Sequence, residues 1–90
     1  MDINQILAEY DAYYARNDPE GAYAFISGQI DVSRSEGRWQ DELTMLNEVI
    51  GYSRKHLMKA EGHAYISRAE DIINEHGLNA EVAAATSAFR

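Results

Sequence analysis

Residues 37–56, GRWQDELTMLNEVIGYSRKH, are predicted to form one amphipathic helix with an unusually wide apolar face. At about 100° per residue, a single broad arc of this helix collects Trp39, Leu43, Leu46, Val49, Ile50 and Ser53. Met45 and Tyr52 extend the arc on one side. A helix at the edge of a small bundle needs a narrower stripe. The helix is therefore predicted to pack against neighbours on both sides.

Two shorter patterns precede it. Asp2 and Gln5 have the spacing of a capping box, and an apolar stripe follows them to about Arg16. The segment NDPEG then ends the first helix and begins the second, because Asp18 can cap a helix and Pro19 suits its first position. Gly37 is predicted to end the second helix in a left-handed conformation.

The chain after residue 56 allows two interpretations. RKHLMKAEG contains no proline and its residues favour helix, so one continuous helix over 39–75 is an alternative. A break near 55–58 is preferred, because the stripe that follows is narrower and richer in small residues: Ala60, Gly62, Ile66, Ala69 and Ile73. Gly77 is predicted to end this fourth helix. Asn79 can cap a fifth helix, AEVAAATSAFR.

Composition excludes several classes of protein. With 90 residues the chain can form one small domain, and with no cysteine it has no disulfide or thiolate metal site. A net charge of −7 disfavours nucleic acid and anionic membranes as partners. There is no long apolar run and the N-terminus is acidic, so no membrane span or secretory signal is predicted and a cytoplasmic location is expected.

Short internal repeats suggest paired helices. Ala22 and Ile26 match Gly62 and Ile66 at an offset of 40 residues. A second match, at an offset of 36, sets the segment beginning at Leu46 over the segment beginning at Val82. Each match is short, and the two offsets differ.

The stretch from Gly37 to Ile73 resembles the bacterial type of tetratricopeptide repeat. The match consists of the pattern W..ELT.LNE.IGY.R, a first-helix group of Leu46, Val49 and Ile50, and a second-helix group of Gly62, Ile66 and Ala69. Three positions depart from the signature: Ser53 stands for an aromatic residue, Leu57 for the turn glycine and Lys59 for the aromatic residue after the turn.

The resemblance implies an all-α chain of about five helices, in antiparallel pairs stacked as a short right-handed solenoid. A first pair would span residues 1–36, a second pair 37–77, and the first helix of an incomplete third repeat 78–90. A stack of this kind also explains the wide face of the central helix, because such a helix meets both its own partner and the neighbouring repeat.

First helices of successive repeats line a concave face, on which members of the family bind peptides or partner helices. The predicted protein-binding residues are Asp11, Tyr14, Gln40, Thr44, Asn47, Glu48, Arg54 and Lys55. Asn47 offers a donor and an acceptor to an extended backbone, and Arg54 with Lys55 could hold a carboxylate. The competing interpretation is that these side chains are merely solvated.

A protein-interaction module without catalysis is the expected function. No catalytic, metal or cofactor site is predicted, because the histidines lack ligand spacing and the serines have no base or glycine-rich loop nearby. The alternative is a small helical bundle that serves as a homo-oligomerisation or assembly unit. The uncovered apolar side of residues 78–90 has two explanations: the chain is the front part of a longer array, or this side meets its equivalent in a second chain. Self-association as a homodimer is predicted, through Val82, Ala85 and Phe89.

Overall fold

Four helices make up the part of the chain that the computed structural model describes, residues 2–77. They are α1 (Ile3–Ala15), α2 (Pro19–Ser35), α3 (Trp39–Lys55) and α4 (Lys59–Glu75), and these residues contain no strand. The prediction of an all-helical chain is confirmed to this extent. The predicted fifth helix lies outside the described residues.

The caps predicted for the first two helices are present. The Gln5 amide donates to the Asp2 carboxylate at 2.9 Å, and the Gln5 side chain accepts from the Asp2 amide at 2.9 Å. The Gly21 amide donates to the Asp18 carboxylate at 3.0 Å, with Pro19 at the first position of α2. Both carboxylates satisfy amides that a helix N-terminus leaves without an intrahelical acceptor.

The same turn follows each helix at intervals of 20 residues. Residues 17, 37, 57 and 77 all have positive φ, at 59°, 72°, 58° and 61°. In the first three turns the amide of the next residue bonds five residues back, from Asp18 to Tyr13, Arg38 to Ser33 and Met58 to Ser53, at 2.8–2.9 Å. This is the Schellman motif, which satisfies the last carbonyls of a helix. Each helix and its turn therefore form a 20-residue unit of sequence.

The helix break predicted at residues 55–58 is confirmed, and a continuous helix over 39–75 is wrong. Leu57 adopts the left-handed conformation that ends α3, and α4 begins two residues later. Local helix preference is outweighed here, because the Schellman hydrogen bonds of Leu57 and Met58 satisfy the end of α3. The Met58 side chain makes no capping hydrogen bond.

The wide apolar face of α3 is buried as predicted. The buried set on this helix comprises Leu43, Met45, Leu46, Val49, Ile50, Tyr52 and Ser53. The other helices also contribute buried apolar residues: Ile6 and Tyr10 from α1, Ile26 from α2 and Ala69 from α4. Ile66 is only partly buried, and so is Trp39 at the start of the stripe. The chain divides into two compact units, Met1–Met45 and Leu46–Arg90.

A buried carboxylate on α3 was not predicted from the sequence. Glu42 is 1% exposed, and its Oε2 accepts from Nε of Arg34 at 3.0 Å. Arg34 lies in the last turn of α2, eight residues earlier. A buried charge needs such a partner, so this ion pair fixes the end of α2 against the start of α3 in the first unit.

Candidate functional site

An open pocket lies at the α3–α4 turn, within the second unit. Its volume is about 320 Å³. Ser53 and Arg54 line it from α3, Leu57 and Met58 from the turn, and Lys59, Gly62, His63 and Ile66 from α4. Most of its wall is apolar, and basic side chains contribute to its lining. Such a mixture suits a ligand that has both an apolar group and an anionic group.

The pocket exists because two small residues face each other. A Cβ atom at Gly62 would lie 3.3 Å from the Cβ of Ser53, so the helices approach closely there. Gly62 has no side chain, and the side chain of Ser53 is too short to fill the space beside this contact. In the α1–α2 hairpin the residue 40 positions before Ser53 is Tyr13, whose ring packs against Phe25 with centroids 5.7 Å apart. An aromatic ring thus stands in the first hairpin where the second has a hydroxymethyl group.

Ser53 is buried, and its hydroxyl group makes no hydrogen bond within the described residues. It is 2% exposed, and its Oγ has no hydrogen-bond partner among residues 2–77. A buried hydroxyl without a partner costs about 1–3 kcal/mol. Stability of the free chain does not explain a serine here, since alanine would pack equally well.

Leu57 combines an unfavourable backbone conformation with high solvent exposure. Its φ of 58° is a conformation that disfavours a branched side chain, and the residue is 84% exposed. The corresponding residues of the other turns are Asn17, Gly37 and Gly77, all types that tolerate this conformation. Neither burial nor backbone geometry therefore explains a leucine at this position on the pocket rim.

Basic side chains cluster at the same turn. Three of the chain's eight Lys and Arg residues lie at positions 54, 55 and 59, and His63 is one turn further along α4. Arg54 and Lys59 make no ion pair with any residue in the described part of the chain. By contrast, Arg34 and Arg38 are paired with carboxylates. The pocket therefore offers uncommitted positive charge in a chain with a net charge of −7.

Four predicted binding residues lie in the second unit. Arg54 and Lys55 are exposed, and of the four only Arg54 lines the pocket. Asn47, two turns earlier on the same face of α3, is partly buried, and its Oδ1 has no hydrogen-bond partner within residues 2–77. Glu48 is partly buried. These positions remain predictions of a binding face.

The other four lie in the first unit. Asp11 is exposed, while the Tyr14 ring makes an edge contact with Tyr10 at 5.2 Å and their hydroxyls are 3.3 Å apart. Gln40 and Thr44 are exposed, and the Thr44 hydroxyl donates to the Gln40 carbonyl at 3.0 Å. The Tyr14 and Thr44 hydroxyls are therefore already engaged within their own helices.

Sequence reasoning identified Arg54 but missed the pocket. The signal was present in the three departures from the repeat signature: Ser53, Leu57 and Lys59 all line it. Each departure was a mismatch to the resemblance when taken singly. Together they remove an aromatic ring, place an exposed apolar side chain in the turn and add a positive charge at the same place.

Metal-binding and membrane-spanning features are absent from the described residues. Within residues 2–77, no group of three or more His, Asp and Glu side chains is arranged to hold a metal ion. Among the described helices, none has the length and apolar character needed to cross a bilayer. Val82, Ala85 and Phe89, the predicted self-association residues, lie outside this part of the chain.

Comparisons of the chain with family models, curated proteins and solved structures found no match.

Proposed function

We propose that the chain is a protein-interaction module that binds a peptide segment of a partner through the pocket at the α3–α4 turn. One observation carries the proposal: Leu57 is held 84% exposed, in an unfavourable backbone conformation, on the rim of an open apolar pocket. Exposed apolar side chains beside a concave surface are typical of protein–protein contacts.

The tetratricopeptide-like right-handed solenoid belongs to this proposal. The recurrence of one turn every 20 residues gives a helix pair every 40, which supports a stack of helix pairs. That spacing agrees with the offset between the Ala22–Ile26 and Gly62–Ile66 segments. This period is longer than the roughly 34 residues of a tetratricopeptide repeat. The expected cytoplasmic location and the absence of catalysis remain predictions from the sequence.

The test is selection of random peptides displayed on phage against the intact immobilised chain. Enriched peptides are synthesised, and their dissociation constants are measured by fluorescence anisotropy. Leu57→Asn should weaken binding by about tenfold or more, because a buried apolar anchor contributes 1.5–3 kcal/mol or so. Asparagine is the residue found at the equivalent turn position 17, so the variant is expected to fold normally.

Val32→Asn is the matched control. Val32 is the other exposed large apolar residue of residues 2–77, at 42%, and it lies on α2 in the first unit. This variant should bind the selected peptides as the unmodified chain does. Failure to enrich any peptide, or equal binding by the Leu57→Asn variant, would contradict the proposed function.

A further inference from the structure

We infer that the pocket at the α3–α4 turn selects acidic peptide segments, in which a bulky apolar side chain enters the pocket and neighbouring carboxylates pair with Arg54 and Lys59. This inference rests on the proposed function and names the chemistry of the partner.

The apolar part of the ligand follows from the pocket. Its volume of about 320 Å³ accommodates one large side chain, and Met58, Ile66 and the exposed Leu57 supply apolar walls. Ser53 and Gly62 also line it and contribute only small groups. An aliphatic or aromatic side chain would remove this surface from water together with Leu57.

The anionic part follows from the charges. Arg54 and Lys59 stand on opposite sides of the turn, one on each helix, and both line the pocket. Neither is engaged by a carboxylate of residues 2–77. A peptide carboxylate would pair with the Arg54 guanidinium in a charge-assisted hydrogen bond, and Lys59 would add a second positive charge.

The remainder of the chain favours a peptide over other polyanions. All but three of its Lys and Arg residues lie outside positions 54–59, together with its 15 acidic residues. A long, uniformly charged phosphate backbone would be attracted to the turn but repelled by most of the protein. A short acidic stretch within a peptide meets the local charge only.

The experiment uses the full chain and the same phage-displayed random peptides. The enriched sequences are expected to contain Asp or Glu within about two residues of a bulky apolar residue, because Arg54 and Lys59 line the same pocket that receives the apolar side chain. For one selected peptide, affinity should fall about tenfold with Lys59→Glu at low salt, because an attraction becomes a repulsion. Raising the salt concentration to about 0.5 M should reduce that difference.

Arg16→Glu is the matched control, since it reverses one exposed charge next to the α1–α2 turn and alters net charge equally. It should change the affinity less than twofold or so, as expected for a charge outside the binding site. Replacing the peptide's Asp and Glu by Asn and Gln should reproduce the loss seen with Lys59→Glu, and the two changes combined should be no worse than either alone.

The outcomes separate the two proposals. Enriched peptides that lack acidic residues, or that bind the Lys59→Glu variant unchanged, would overturn the inference while loss of binding in Leu57→Asn still supports the interaction module. Binding of a single-stranded oligonucleotide as tightly as the acidic peptide would also overturn it, in favour of general polyanion binding. If no peptide is enriched, both proposals fail.

Discussion

The α1–α2 and α3–α4 turns share one backbone conformation but differ in the side chains that lie between the two helices. In both, a left-handed residue follows the helix and the next amide bonds five residues back. At the first turn Tyr13 fills the space between the helices and Asn17 suits the turn. At the second, Ser53 leaves a pocket and Leu57 projects into solvent. The two turns thus share a backbone conformation and differ in what fills the space between the helices, and this difference can be tested residue by residue.

The largest expected difference concerns two isoleucines 40 residues apart. Ile26 is fully buried on α2, whereas Ile66 on α4 is partly exposed at the pocket wall. Ile26→Ala should lower the free energy of unfolding by about 3 kcal/mol, in the range for large core truncations. Ile66→Ala should cost about 1 kcal/mol, because less apolar surface is lost.

Urea denaturation followed by circular dichroism measures both values. Equal losses for the two variants would show that Ile66 is as well packed as Ile26, which would contradict the expected difference between the two hairpins.

Two helical glycines, Gly21 and Gly62, distinguish the hairpins next. A Cβ at Gly21 would overlap the Asp18 carboxylate that caps α2 and would lie 2.9 Å from Cδ1 of Tyr13. Gly21→Ala should therefore destabilise the chain by about 2 kcal/mol through loss of the cap and overpacking. Gly62→Ala should be neutral within about 0.5 kcal/mol, because higher helix propensity offsets a tight 3.3 Å contact.

Thermal unfolding of the two alanine variants under identical conditions gives the comparison. A larger loss at Gly62 would mean that the α3–α4 contact, and not the α2 cap, is the more constrained of the two.

Removal of the buried hydroxyl of Ser53 should increase the stability of the chain. Ser53→Ala removes a group that has no hydrogen-bond partner among residues 2–77. The substitution should raise the free energy of unfolding by about 1 kcal/mol. Ser33, which is also fully buried with an unpartnered hydroxyl, offers the same test in the first unit through Ser33→Ala. A loss of stability in either variant would show that the hydroxyl finds a partner in solution.

The sequence predicted the helices better than it predicted the site. Caps and stops carry local signals, so the Asp2 and Asp18 caps and the Gly37 and Gly77 stops could be placed directly. No glycine or capping residue marks the break at Leu57. It was predicted only from the narrower apolar stripe that follows and from the resemblance. The 20-residue period was hidden because Asn17 and Leu57 occupy turn positions that glycine fills elsewhere.

Two features could not be predicted, because they depend on which side chains meet. Arg34 and Glu42 are eight residues apart on different helices, and nothing in their spacing indicates that a half-exposed Arg34 pairs with a buried carboxylate. Similarly, the pocket depends on Ser53 facing Gly62 across the turn. Self-association through Val82, Ala85 and Phe89 stays a prediction, which light scattering of the intact chain and of Phe89→Glu over a hundredfold range of concentration or so would test.

The smallest expected effect is an exchange between the two turn residues that define the comparison. Leu57→Asn should stabilise the chain by about 0.5–1 kcal/mol, because asparagine tolerates positive φ better than leucine and no buried contact is lost. Asn17→Leu should destabilise it by a similar amount, since residue 17 has the same conformation, with φ of 59°. Chemical denaturation of the two single variants and of the double exchange measures these differences.

If leucine is retained at position 57 for binding, the Leu57→Asn variant must be the more stable protein and the weaker binder. A Leu57→Asn variant that unfolds more easily would show instead that Leu57 stabilises the free chain, and the argument for a docking residue would then lose its main support.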